Sequence, residues 1–297
     1  MATAGWSKDT DRAALFGVGL MLLAAVFGAI DSVLVRHLAG SVHPFVMGFT
    51  RALFGLLVVL PWIVARPGIL RSNYRFRHAL RAALKLASLL AYFVAFATAP
   101  LADVTAIAFT SPIFVTIGAW LFLSERPRAL RIAAVVIGFV GVLVVLSPGR
   151  QAGISSGLLF ALLGAVLTAL IQLILKPMSG RDTTEALVAW NLIAMVPIAA
   201  LPAILVWATP TPYEWMILAV QGLLGAAAMG CVTRAFYFAE ASLIVPVDFL
   251  RLPIVAALGF FLFGQVAPMS TWIGATVIFV AILLMARSAR GQVRPQP

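Results

Sequence analysis

Charge is scarce in this sequence: Asp, Glu, Lys and Arg together make up 10% of its 297 residues, against 63% hydrophobic. A soluble domain is about a quarter charged and about half apolar, so no single core could hide this much apolar surface, and the solvent for most of the chain must be lipid. Acidic residues are scarcer still, 10 against 21 Lys and Arg, for a formal net charge of +11. In a soluble protein that excess would point to nucleic acid. Here the basic residues lie in short breaks between long apolar runs, where they report topology, so no nucleic-acid partner is expected. The single cysteine, Cys231, can form no intrachain disulfide. The three histidines, His37, His43 and His78, stand near the ends of apolar runs and are not paired at metal-ligand spacing. Neither a Walker A loop nor a GxSxG elbow occurs. No enzyme, catalytic residue, metal or cofactor is therefore expected. The opening MATAGWSKDTDR has balanced charge, and the apolar stretch after it is too long for a signal-peptide core.

A membrane span needs roughly 20 apolar residues. Ten segments qualify: Ala13–Leu38, Pro44–Ala65, Ala79–Ala99, Val104–Leu123, Ile132–Leu146, Ser155–Leu175, Ala186–Trp207, Trp215–Phe238, Leu243–Phe263 and Thr271–Ala286. Gly, Pro or charge marks the breaks, as at Arg66–Pro67–Gly68, Ser147–Pro148–Gly149 and Thr209–Pro210; the weakest is Ala239–Ser242, interrupted only by Glu240 and Ser242. With the N-terminus inside, the inner loops and tails collect Lys8, Arg12, Arg66, Arg71, Arg75, Arg77, Arg81, Arg126, Arg128, Arg131, Lys176, Arg181, Arg287, Arg290 and Arg294, and the outer side only Arg36 and Arg150. Both termini are therefore expected in the cytoplasm, which requires an even number of spans.

The second half lies on the first at an offset near 140. Leu23–Leu38 then meets Leu163–Met178, with Ala25, Val26 and Ala29 on Ala165, Val166 and Ala169, and Arg36 on Lys176. With one further residue of shift, Pro112 and Ile113 meet Pro253 and Ile254, and Pro127 meets Pro268. Residues 1–150 and 151–297 would then each hold five spans. Five is odd, so the second half enters the membrane from the opposite side. The expected fold is all-α integral membrane: ten transmembrane helices as two inverted five-helix repeats, an architecture common among secondary transporters, with a site near the midplane between the halves.

Three stretches carry a family resemblance: FTRALFGLL in the second span, YFVAFATAPLADVTAIAFTSPIFVTIGAWLFLSERP across the third and fourth, and LIVPVDFLRLPIVAALGFFLFGQ in the ninth, with Gln265 where a Glu is frequent. In these the chain resembles the drug/metabolite transporter superfamily, EamA type, over essentially its whole length. The resemblance implies a multi-pass bacterial inner-membrane protein that moves a small organic metabolite (an amino acid, vitamin or nucleotide-like compound) by secondary active transport and alternating access. YFVAFATAPLAD with VDFLRLP is most similar to members handling riboflavin or S-adenosylmethionine. The alternative is a lipid flippase of the same fold. Partners are thus a small-molecule substrate and membrane lipids, and either a monomer or a homodimer satisfies the sequence.

Charge inside a span costs roughly 2.5–3.5 kcal/mol or more at the centre, which makes it the first place to look for function. Asp31 lies seven residues before the end of the first span and Arg51 seven after the start of the second, so both sit at matching depth on antiparallel neighbours. They form either a mutually neutralising fold lock or a substrate site, with Asp31 the candidate for proton coupling. Asp248 and Arg251, three apart, would share a helix face, as a local pair or with Arg251 turned to a cargo carboxylate or phosphate. Lys85 and Arg234 lie nearer the inner surface, within snorkelling reach of headgroups. Gln172 falls one step from the repeat mate of Asp31, either as helix–helix glue or as the second half of a site. Tyr92 in AYFVAF and Tyr237 in RAFYF offer packing or stacking surfaces for a planar ligand. Gly157, Ala161, Ala165 and Ala169 form a small-residue stripe on the sixth span, and Glu125 is expected in a structural or gating ion pair. The candidate substrate-binding residues are thus Asp31, Arg51, Lys85, Tyr92, Gln172, Tyr237, Asp248 and Arg251.

Overall fold

Proline and glycine cut the apolar runs into helices. The computed structural model describes residues 8–70, 72, 74–123, 129–146, 155–178, 182–238 and 247–290. These form α1 (Lys8–Leu38), α2 (Pro44–Ala65), a 3-10 turn (Pro67–Leu70), α3 (Arg75–Thr98), α4 (Leu101–Ala108), α5 (Ser111–Leu123), α6 (Ala129–Leu146), α7 (Ser156–Met178), α8 (Thr184–Leu205), α9 (Pro212–Phe238), α10 (Arg251–Phe263) and α11 (Met269–Arg290), with no strand among the described residues. Seven stretches are long and apolar enough to cross a membrane, α4 and α5 counting together as Leu101–Phe122, and three shorter apolar helices add Ile132–Leu146, Arg251–Phe263 and Met269–Leu284. Their outward faces are apolar: Val64, Phe122, Leu205 and Phe261 are 69%, 70%, 85% and 79% exposed, a surface that only lipid covers without cost.

The fourth and ninth spans are not the continuous helices that their apolar runs imply. The chain turns at 109–110, between α4 and α5, and again at 249–250, before α10. Pro112 and Pro253 sit in the first turn of the helices that follow, where a missing N–H goes unnoticed, while the same residues could not continue a helix arriving from upstream. Ala239–Ser242, Glu240 among them, and Glu125 lie outside the described residues.

Helix ends recur along the chain. Leu38 and Met178, Pro44 and Thr184, Ala65 and Leu205, Thr98 and Phe238, Ser111 and Arg251, Leu123 and Phe263, Ala129 and Met269 are matching boundaries, each second member 140 residues after the first. Local chemistry recurs as well: His43 caps α2 through Nδ1, which accepts from the N–H of Phe45 at 3.3 Å, and Thr183 caps α8 by accepting from the N–H of Ala186 at 3.2 Å. Packing follows the same relation. α1 lies on α9 as α7 lies on α3, α10 on α1 as α5 on α7, and the pairs α2–α8 and α6–α11 cross their own counterparts.

Close approach at these crossings depends on small residues. On α7, Ala161, Ala165 and Ala169 are 0%, 0% and 2% exposed, and a Cβ on Gly157 would come within 2.5 Å of the Thr98 hydroxyl. At the α6–α11 crossing Gly141 and Gly274 face each other, and a Cβ on Gly274 would lie 2.7 Å from the Gly141 carbonyl. Arg36 folds over the last turn of α3, where its guanidinium donates to the carbonyls of Phe96 (3.0 Å), Ala97 (2.7 Å) and Ala99 (3.3 Å). It thereby satisfies helix-end acceptors that lipid could not.

Candidate functional site

Asp31 on α1 and Arg51 on α2 meet as an ion pair, their side chains 17% and 19% exposed. Asp31 and Arg51 each lie seven residues from the facing ends of α1 and α2, at Leu38 and Pro44, and so stand at one depth. Room for the guanidinium comes from Gly225 on α9, where a Cβ would stand 2.9 Å from Arg51 Nη2. The charges of Arg51, Asp31 and Arg81 all act on Lys85, which is accessible. Lys85 stands on the wall of a pocket of about 240 Å³, lined also by Arg81 of α3, Ile171 and Leu175 of α7, Leu187, Val188 and Asn191 of α8, and Met229 of α9. Arg81 is 4% exposed and donates to the Leu187 carbonyl. Lys85 has no hydrogen-bond partner among the described residues. Gln172, exposed on α7, adjoins the lining residue Ile171.

A second group forms where the two interrupted spans meet. Phe109 and Phe249, one from each turn, stack with ring centroids 4.1 Å apart, and Phe249 packs on Phe279 at 4.6 Å. Arg251 starts α10 directly beyond. Its stem lies on α1, where a Cβ at Gly28 would be 3.1 Å from Arg251 Cδ, and its Cζ sits 5.0 Å from the Phe109 ring centroid. Its Nε is buried with no partner among the described residues. The charge of Arg251 also acts on Tyr92, whose ring fits against Gly164, where a Cβ would lie 2.9 Å from Cζ. Beside it Ser88 donates to the Gly164 carbonyl at 3.0 Å and meets the Thr168 hydroxyl at 2.9 Å.

Two candidates fall elsewhere. Asp248 and Arg251 do not share a helix face, because the turn at 249–250 separates them, and no ion pair joins them among the described residues. Tyr237 is 84% exposed near the end of α9, its ring edge-on to Phe238 at 5.2 Å, and is not brought to the others. Arg234 is likewise exposed.

The profile of the EamA-like transporter family matches residues 15–147 and, a second time, 155–287. The chain belongs to the EamA-like transporter family. Among similar proteins, an S-adenosylmethionine uptake transporter of Rickettsia bellii is 27% identical over 95% of this chain and 97% of its own. A riboflavin transporter of Rhizobium johnstonii is 33% identical over 79% and 78%. A pseudopaline exporter of Pseudomonas aeruginosa is 27% identical over 93% and 97%. One crystal structure aligns over 96% of this chain and 99% of its own, with a TM-score of 0.63 at 20% identity, a likeness of fold. This EamA-like protein is therefore a multi-pass inner-membrane transporter and not an enzyme.

Within the EamA-like framework, one cluster has no trace in the sequence pattern. His78 Nε2 lies 3.0 Å from Asp182 Oδ2, Ser72 donates to the same oxygen at 2.7 Å, and Trp190 stacks on His78 at 5.7 Å while donating to the Leu70 carbonyl at 3.1 Å. His78 is wholly buried. Ser72 and Asp182 both address the same imidazole nitrogen, so this is no relay for activating a hydroxyl; a nucleophilic triad needs the carboxylate on the other nitrogen. It is a polar tie between the two halves of the chain. Gln265 makes another, accepting from the N–H of Leu101 at 3.0 Å. Among the described residues no group of acidic, His or Cys side chains could hold a metal.

Proposed function

We propose that this transporter moves a small organic metabolite bearing a carboxylate or phosphate by alternating access between two inverted five-helix repeats, residues 1–150 and 151–297, with both termini in the cytoplasm. What supports it above all is the convergence of cations inside the spans. Lys85 and Arg81 line one pocket, Arg51 lies near it and Arg251 stands at the interrupted-helix junction, and of the four only Arg51 is in a direct ion pair among the described residues. Four cations against the nearby Asp31 and Asp182 leave a net positive interior, which favours an anionic cargo group, and the fork of Arg251, its Nε free, suits a planar oxyanion. The stacked Phe109–Phe249 pair and Tyr92 offer aromatic surface beside those charges. The aromatic surface fits cargo of the kind named for the relatives, S-adenosylmethionine and riboflavin, each with a flat heteroaromatic ring, and the cations fit the carboxylate that S-adenosylmethionine carries and riboflavin does not. Matching helix boundaries and the two family matches support the repeat. The clustering of basic residues at the end where α3 and α8 begin supports its cytoplasmic placement.

A thermal-shift screen on detergent-purified protein tests the reading, with amino acids, vitamins, nucleotides and S-adenosylmethionine as ligands. A ligand that binds only the folded form raises apparent stability by about 2.7 kcal/mol at one hundred times Kd. A hit that vanishes in Arg251→Ala places the cargo at the junction. A flat panel with phospholipid in the purified sample favours the flippase, for which the pocket's mainly aliphatic lining is suited. Proton coupling through Asp31 is tested in vesicles: Asp31→Asn is expected to abolish the pH dependence of flux, and a variant that keeps it rules the residue out.

A further inference from the structure

We infer that the bundle contains a second station for the cargo's anionic group, at Gln221 and Arg51, closed in this structure and opened when the two halves exchange conformations. This rests on the inverted-repeat transporter reading above. The first observation is Gln221 on α9: it is 0% exposed, and neither its amide oxygen nor its nitrogen has a hydrogen-bond partner among the described residues. An amide buried unpaired loses its hydration for nothing in return, so such groups are rare and call for a use. One turn further along α9 is Gly225, the residue that makes room for the Arg51 guanidinium, and a Cβ on Gly222 would lie 3.4 Å from the Arg51 carbonyl. Gln221 thus stands in the same α2–α9 seam as Arg51.

The second observation is where the open pocket falls in the repeat. Shifted by the 140 residues that relate the helix ends, its lining residues Arg81, Lys85, Ile171, Leu187 and Asn191 become Gln221, Gly225, Asp31, Met47 and Arg51. The space that is open at one end of the bundle is therefore filled at the other by the Asp31–Arg51 pair, with the unpaired amide one turn along α9 from the glycine that seats the Arg51 guanidinium. Beyond it Val35, Met47, Phe93, Ile217 and Leu218 close that end as an apolar cluster. When inverted halves exchange conformations, the pocket and the filled space exchange roles. A carboxylate or phosphate then replaces Asp31 on Arg51, and the Gln221 amide donates to it. Asp31, displaced from Arg51, takes up a proton from the water that the opening admits, so that the exchange leaves no bare carboxylate behind.

Thiol accessibility tests this without knowledge of the cargo. In a Cys231→Ser background, which removes the single native cysteine, Gln221→Cys and Asn191→Cys are each treated in intact cells and in inverted vesicles with membrane-impermeant methanethiosulfonates. One reagent carries a sulfonate and the other a quaternary ammonium. N191C is expected to react from the cytoplasmic face and Q221C from the outer face, severalfold faster once Asp31→Asn releases Arg51. Relative to a free thiol, the sulfonate reagent should gain severalfold at Q221C, and Arg51→Gln should remove that gain. Q221C unreactive from both faces, with N191C labelled, overturns the station but leaves the pocket. N191C unreactive as well defeats the transport reading beneath it. Labelling with no sulfonate preference overturns the anionic class. Gln221→Leu should melt no lower than the parent protein; a clear drop would mean that the amide makes a structural bond in this state, and would overturn the proposal independently.

Discussion

At the scale of single residues, burial converts pairing into stability. The Asp31–Arg51 pair is mostly withdrawn from solvent, and breaking one partner of such a pair strands the other. Asp31→Asn is expected to cost on the order of 3 kcal/mol, and the double variant Asp31→Asn/Arg51→Gln distinctly less, because no bare charge remains. Thermal melts of the parent, both single variants and the double variant in one detergent check this; a double variant whose loss reaches the sum of the singles would mean that the two residues have separate structural partners. The pair was legible from the sequence because depth in a membrane is one-dimensional: counting residues from two adjacent span ends is enough. Arg251 was legible as a buried charge, but its partner was not. The turn at 249–250 carries it away from Asp248 and onto Phe109, a contact between residues more than a hundred apart. Tyr237 was misleading for a related reason. Aromatic clustering in RAFYF says nothing of which helix face is turned outward, and Tyr237 is on the exposed one. Gln221 gave no signal, since an isolated Gln in an apolar helix looks the same whether bonded or not.

At the scale of helices, apolar runs and their Gly and Pro breaks predicted existence well and continuity poorly. The bounds Pro44–Ala65 coincide with those of α2, but the fourth and ninth runs conceal turns that only Pro112 and Pro253 hint at. The crossings turn on glycines of sharply different tolerance. At Gly274 a Cβ would meet backbone, the Gly141 carbonyl at 2.7 Å and the Val145 N–H at 3.1 Å, and neither can yield without parting α6 from α11. Gly274→Ala should therefore destabilise by about 2 kcal/mol or more. Gly19→Ala, with nothing within 4 Å, should be neutral or gain up to about 1 kcal/mol from helix propensity. Equal losses at the two positions, read as detergent half-lives, would mean that the crossing is looser than its geometry. The polar tie is likewise an affair of elements: Asp182 precedes α8 and His78 opens α3. Asp182→Ala removes the shared carboxylate from both His78 and Ser72, leaving the buried imidazole only the Ser72 hydroxyl, and should lower stability by about 1–3 kcal/mol. Spacing could not reveal the tie, because most of α3 and all of α4 to α7 lie between its members in the chain.

At the scale of the whole molecule, the distribution of charge carries the orientation. Of the basic residues assigned to loops, only Arg36 and Arg150 fall on the outer side, and the structure removes Arg36 from that account: its guanidinium is spent on three carbonyls at the end of α3. An arginine so engaged caps a helix and does not vote on topology, so the asymmetry is sharper than the sequence count. Two expectations follow that separate the roles. Green fluorescent protein fused after the C-terminus should fluoresce, and alkaline phosphatase inserted in the Ala208–Thr211 connection should be active, because the proposed topology puts both termini inside and that connection outside. Arg36→Ala should leave both reporters unchanged while lowering stability by about 1.5–3 kcal/mol, the worth of charge-assisted bonds to the freed carbonyls. A reporter that inverts in Arg36→Ala would make this residue a topology determinant after all. Active phosphatase both at the C-terminus and in the Ala208–Thr211 connection would put an even number of spans between them instead of three, and the second half could not then be a five-helix repeat.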